Sequence, residues 1–263
     1  MKTSIKRNYD GGGIGSIGSL DNLFGYSPED VENERKVETS DEVNLKLALC
    51  QYHSCEDTSF NAMLDFKTSL VLTPKEISQF LFLIKFNFIN DENLKKTSLF
   101  MNKLIQNSYD FGYNQFNLDL NNYPDSCFLC RELIGEVNNP LRVDINGDVE
   151  YSTCYGAKNL IVSLSGHAGE AFADNTNNLV IHVKGNAGRF FGWQSNDSYA
   201  IVKGNVGDHF FSYSENSTAV VFGDTKEYFG SSGLNCMIVK SPDSRQHQIY
   251  NEVMRRMRGE SNE

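Results

Sequence analysis

Between Arg142 and Lys240 the apolar positions fall into columns nineteen residues apart. One column reads Val143, Val162, Ile181, Ala200 and Ala219; a second, two residues on, reads Ile145, Leu164, Val183, Val202 and Val221. Apolar residues spaced by two predict a short strand with one buried face, because strand side chains alternate. Glycine follows each strand, at Gly147, Gly166, Gly185, Gly204 and Gly223. A bend of positive φ there would penalise any residue with a Cβ. Six residues after each glycine stand Thr153, Phe172, Phe191, Phe210 and Phe229, which predict a second strand. Twelve after it stand Asn159, Asn178, Asp197, Asn216 and Asn235, a corner at which Asn tolerates the left-handed region.

A period near twenty, held over five turns, is a repeat architecture. Each coil has room for three short strands and three bends, so like residues stack on like in parallel strands roughly 4.8 Å apart. The expected fold is mainly β, a right-handed parallel β-helix of about five 19-residue coils, with an internal Phe stack and an Asn ladder. Leucine-rich repeats and nine-residue calcium rolls lack their signatures here. A hexapeptide helix fails because steps of six from Ile181 meet Ala187, Trp193, Tyr199 and Asn205.

The central coils carry a finer pattern. Gly185, Gly188 and Gly192 spell G-x-x-G-x-x-x-G; Gly166 and Gly169, and Gly204 and Gly207, keep its first pair, and Gly223 and Gly230 its first and third members. With the run Val183-Lys-Gly-Asn-Ala-Gly188, this resembles the GXGXG-type β-helix domain that ends the large chain of glutamate synthase and also occurs in formylmethanofuran dehydrogenase. The likeness covers residues 142–240. Glu150, Lys226 and Phe211 depart from the pattern. The resemblance implies a structural element that contacts other subunits, with no catalytic residue to carry over.

The flanks read differently. Residues 1–38 form a Gly-rich then acidic stretch with few apolar anchors, expected to be a flexible tail. Its Gly13-Ile-Gly15-Ser-Ile-Gly18 matches a dinucleotide fingerprint in letters, but no buried strand precedes it, so it reads as linker. Residues 39–140 predict a small mixed α+β domain. Val43, Leu45, Leu47 and Leu49 alternate as a strand; Phe60, Ala62, Leu64 and Phe66 do so more weakly; Phe116, Leu118 and Leu120 make a third. Thr73-Pro74-Lys75-Glu76 is a capping box opening a helix with Ile77, Phe80, Leu81 and Ile84 inward. Asn90-Asp91-Glu92 opens another with Leu94, Met101, Leu104 and Ile105 inward, and Cys127 to Leu133 a short third. The β-helix is expected over 141–241, after a boundary at Asn138-Asn139-Pro140. Pro242 takes the next glycine position, and Asp243-Ser244 caps a final helix within 242–263 whose Ile249, Val253 and Met257 share a face. That helix is expected to close one end of the β-helix and the mixed domain the other.

Composition narrows the function. A net charge of −10 over 263 residues argues against nucleic acid. The longest apolar run, Phe80 to Ile89, is too short for a bilayer, which needs roughly 20 residues. The N-terminus has charge without a following apolar run, and six cysteines then suit free thiols in a reducing cytoplasm. Cys50, His53 and Cys55 with Cys127 and Cys130 have spacings a zinc site would use, but lack the glycine that bends a knuckle, and they read as buried thiols. The histidines His53, His167, His182, His209 and His247 form no column, and no Ser, His and Asp share one in a way that suggests a triad. Arg255, Arg256 and Arg258 suit a helix C-terminus. No catalytic, cofactor or metal residue is assigned. The expected function is a non-catalytic scaffold, binding a protein partner through a flat β-helix face with His182, Lys184, Arg189 and Lys203. Oligomer and complex component both stay open. The alternative is an accessory subunit of a glutamate synthase-like amidotransferase or one-carbon oxidoreductase.

Overall fold

The computed structural model describes residues 40–55, 59–87, 94–121, 123, 126–240 and 247–258. The expected tail, with its Gly13 to Gly18 run, lies outside the described residues, as do Asn90 to Glu92, Pro242 and the Asp243-Ser244 cap. The chain divides into Met1–Thr39 and Ser40–Glu263, and only the second unit is described.

Its framework is one parallel sheet of seven strands in sequence order: β1 (Gln115–Asp119), β2 (Leu141–Asn146), β3 (Leu160–Leu164), β4 (Val180–Val183), β5 (Tyr199–Val202), β6 (Thr218–Val221) and β7 (Met237–Lys240). The register pairs Val143, Val162, Ile181, Ala200 and Ala219 in turn, as the period requires. The chain is a β-solenoid of about five turns. Strand β1 pairs with β2 from Gln115↔Arg142 onward, so the sheet begins upstream of the expected boundary at 140. Cys127 to Leu133 is not a helix. Phe128, Cys130 and Glu132 have positive φ, as Ser152 and Cys154 do one coil later.

That alternation is the largest departure within the coils. The Phe column does not lie on a regular strand: around Phe172, Ala171, Ala173 and Asn175 are all left-handed. Each such residue costs about 1–2 kcal/mol against its right-handed form. Hydrogen bonds between coils offset this. Ala171 and Asn175 donate forward to the Arg189 and Trp193 carbonyls, and Ala173 donates back to Thr153. Inside, Phe172, Phe191 and Phe210 stack at 5.2 Å per step, and Phe229 follows at 5.6 Å. The Asn column is left-handed throughout. Asn178 Nδ2 donates to Asn159 Oδ1 at 2.8 Å and Asn235 to Asn216 at 3.2 Å, with Asp197 between.

The glycine column has another cause than the one expected. Of its five members only Gly147 has positive φ. At Gly185 an added Cβ would sit 2.5 Å from the Gly166 carbonyl oxygen, so the coils approach too closely for a side chain. The next residue uses that closeness. Asp148 Oδ1, His167 Nδ1, Asn186 Oδ1 and Asn205 Oδ1 each accept the backbone N–H of the residue one coil on, at 2.6–2.9 Å.

Upstream of β1 the chain is helical: α1 (Ser40–Ser54), α2 (Phe60–Asp65), α3 (Pro74–Asn87) and α4 (Leu94–Phe111). The two expected strands at 43–49 and 60–66 are helices instead. Leu45, Ala48 and Tyr52 are buried at helical spacing while Val43 and Leu47 stay exposed, and that stripe outweighs the alternation. The capping box forms as expected: Glu76 Oε2 accepts from Thr73 N at 2.7 Å, and Thr73 Oγ1 accepts from Glu76 N at 3.2 Å. Helix α3 packs on β1. Helix α4 turns a polar row to the first coil. Asn102 bonds the Phe128 carbonyl and Cys130 N–H, Gln106 bonds both Ile134 groups, and the Tyr109 hydroxyl joins Asn139 O and Glu136 N.

The last helix, α5 (His247–Arg258), does not close the other end. It lies across the outer face of the sheet, where Val253 packs against Ile161, Val180, Ile201 and Val220, with Tyr250, Met254 and Met257 around it. Arg142 donates to the Met257 carbonyl at 2.9 Å.

Candidate functional site

The expected flat basic face is divided by α5. The outward column of the sheet reads Asn117, Asp144, Ser163 and His182, then Ile201 and Val220. Asn117, Asp144 and Ser163 of its polar half line a cleft beside α3; its apolar half lies under α5. Lys203 is held in place: its ammonium sits 3.7 Å from the Phe222 ring centre and 4.4 Å from that of Tyr250. Arg189 lies elsewhere on the coil, beside Asp208. Only Lys184 remains exposed next to His182.

His182, expected on an exposed face, is half-buried, with a buried Nε2 that has no partner. Burial, then the ammonium groups of Lys203 and Lys184, pushes its pKa down. Asp144, Ser163 and His182 share a column on adjacent strands, but not in an arrangement that makes a triad. The order is wrong for a relay, which needs the imidazole between hydroxyl and carboxylate. Here the serine is in the middle, and Asp144 accepts from Gln115 at 3.3 Å.

The remaining candidates are dispersed or used within the fold. His167 belongs to the backbone ladder. His209 is sandwiched between Phe190 at 5.0 Å and Tyr228 at 4.5 Å. His53 is exposed on α1, its pKa pushed down by partial burial and by Lys96, and His247 begins α5. Of the cysteines, Cys50 is exposed and Cys55 and Cys127 are half-buried. Cys130 is buried against Cys154, and the thiol–thiol hydrogen bond and burial hold the Cys154 thiol un-ionised. Sequence reasoning left out Cys154, because it follows Cys130 by 24 residues and so falls outside the nineteen-residue register. Among the described residues no three metal-binding side chains converge. Arg255 and Arg256 bind Glu252 at 2.8 and 2.7 Å, and Arg256 stacks 3.9 Å over Tyr199. They fasten α5 and do not form a free basic face. No described helix is long and apolar enough to cross a membrane.

Exposed apolar side chains also gather at the last rung. Strand β7 pairs with β6 on one side, and no described strand lies on the other. Around it Leu234, Met237 and Tyr228 are 59 %, 53 % and 58 % exposed. The Phe stack opens here, since Phe229 is only half-buried, unlike the fully enclosed Phe191. Asp224, Lys226, Glu227 and Lys240 surround this end and cancel in charge, within a chain of net −10.

Comparison with protein-family models, curated proteins and solved structures finds no match.

Proposed function

We propose that the protein is a non-catalytic scaffold that binds another protein through the last rung of its solenoid. The observation that carries this is the edge of β7 that pairs with no described strand, with exposed Leu234 and Met237 beside it. An open parallel edge offers backbone groups to a partner strand, and the apolar side chains beside it add contact area. The glycine pattern, with its resemblance to a β-helix that contacts other subunits, supports the same reading. The partner contributes a strand that continues the sheet, and the charge-balanced end tolerates either sign of partner.

A photo-crosslinking residue at Met237, in the full chain expressed in its native cells, tests this. The expected product is one heavier species joining the chain to a second polypeptide. Leu234→Lys with Met237→Lys should abolish that complex while leaving the thermal midpoint nearly unchanged, as exposed sites do. Crosslinks confined to the chain itself, or a complex that survives the double variant, would sink the proposal.

A further inference from the structure

Two buried thiols have no part in the scaffold reading. Cys130 and Cys154 are both fully buried, whereas the other four cysteines keep some exposure. The pair faces across the junction where the irregular first coil meets the regular ones. The bridge Ile134↔Lys158 sets a step of 24 residues at this junction, and the same step carries Cys130 onto Cys154. Hydrogen bonds bracket the pair: Cys154 N–H donates to the Leu129 carbonyl and Glu132 N–H to the Tyr155 carbonyl, both at 2.8 Å.

The two residues also share one local shape. Their φ angles are 57° and 61°. Each carbonyl accepts from the N–H three residues on, that of Leu133 at 3.4 Å and that of Ala157 at 3.2 Å. Matched conformations in adjacent coils aim both Cβ atoms the same way, into the core. Neighbouring parallel segments lie about 4.8 Å apart, within the roughly 4.4–6.8 Å that a disulfide needs between its Cα atoms. The thiols already share a hydrogen bond, and that bond and burial push the Cys154 pKa up. The thiolate that disulfide exchange requires is therefore suppressed while the coil is closed.

We propose that Cys130 and Cys154 are a redox site, forming a disulfide that staples the first coil to the second. The bond is made while this junction is open and is enclosed when the junction shuts. The oxidant is a small-molecule disulfide of the glutathione class. In the open junction one cysteine thiolate attacks it, forming a mixed disulfide and releasing one small thiolate. The second cysteine thiolate then attacks the protein sulfur of that mixed disulfide and releases the other. Two protein thiols lose two electrons, one small disulfide is reduced to two thiols, and the two protons pass to those thiols.

The staple acts on the capped end. Asn102 of α4 accepts the Cys130 N–H at 2.7 Å, so the bond ties the residue that α4 holds to the coil beyond it. It lies at the β1 end of the sheet and holds or fails independently of partner binding at β7.

The test exposes the reduced full-length chain to a buffer of glutathione and glutathione disulfide, once folded and once during refolding from urea. Alkylation with N-ethylmaleimide and peptide mass mapping then locate the bonds. The expected major link after refolding is Cys130–Cys154, although access alone would favour pairs among Cys50, Cys55, Cys127 and Cys236. In the folded chain the link should form at least about tenfold more slowly, because the junction must first open. The oxidised chain should melt about 5–10 °C above the reduced one. Cys130→Ala and Cys154→Ala should each lose this gain; alanine already fills the next place in the column, at Ala173. A different major link, no link after refolding, or an oxidised chain that melts no higher would overturn the proposal. So would a link that forms as fast in the folded chain, or a gain that survives in both alanine variants.

Discussion

The two ends of the solenoid are treated in opposite ways. At the N-terminal end the first irregular coil, 115–140, lies against helices, and α4 answers its backbone almost group by group through Asn102, Gln106 and Tyr109. At the C-terminal end β7 keeps an unpaired edge among the described residues, and apolar side chains stand in solvent. Helix α5, which follows β7 in the chain, lies on the sheet face instead. Covering an end takes more than hydrophobic bulk. It takes donors and acceptors placed to meet a coil whose backbone has lost its neighbour.

Truncating the same ring at two depths measures this difference most directly. Phe191→Ala, in the enclosed middle of the stack, should cost about 3–5 kcal/mol in denaturant unfolding. Phe229→Ala, on the half-buried last step, should cost about 1–2 kcal/mol because less area leaves water there. Equal losses would mean that the last rung is as enclosed as the middle. Next comes the cap itself. Asn102→Leu keeps the bulk and removes both polar contacts, stranding Cys130 N–H and leaving Phe128 O only its 3.3 Å bond from Arg131 N, and should cost about 2–3 kcal/mol. A neutral result would show that α4 covers the coil by packing alone.

The regular coils were legible in the sequence because stacking forces the same residue types onto the same position every turn. Thus the Phe stack, the Asn corner and the β2–β6 register all follow from one period. The reason for the glycines was not legible, since crowding by the previous coil and positive φ select the same residue. The ends were hidden for a related reason. A coil that occurs once has no column to repeat, so β1 read as part of a separate domain. In α1, seven residues satisfied a period of two, and Leu45, Ala48 and Tyr52 decided for 3.6. The position of α5 was in fact written in the outward column, which changes from Asp144, Ser163 and His182 to Ile201 and Val220. The pairing of Cys130 with Cys154 was illegible because it joins an irregular coil to regular ones.

The Asn ladder gives a finer contrast between the ends. Asn178→Ala removes the bond to Asn159 in a half-buried corner and should cost about 1 kcal/mol. Asn235→Ala removes the matching bond on the last rung, where water replaces it, so beyond the left-handed backbone cost that the two positions share it should lose only a few tenths of a kcal/mol. Thermal melts of the two variants side by side would separate these values.

The smallest effect belongs to Asp174, and its sign distinguishes a buried charge from an exposed one. Burial raises its pKa to about 6 from an ordinary 3.8, so the folded chain holds this proton more tightly than the unfolded chain. The group therefore favours folding in acid. That contribution is complete below about pH 4 and is lost as pH rises through 6, where the carboxylate is charged yet partly cut off from water. Asp174→Asn removes the titration and keeps the shape. The variant should match the wild type near pH 4 and become the more stable of the two as pH passes 6. Because the carboxyl is only half-buried, screening keeps the difference modest. If the stability of the variant relative to wild type stays flat between pH 4 and 7, the carboxyl is solvated, and the corner beside Arg131 is as open as the last rung.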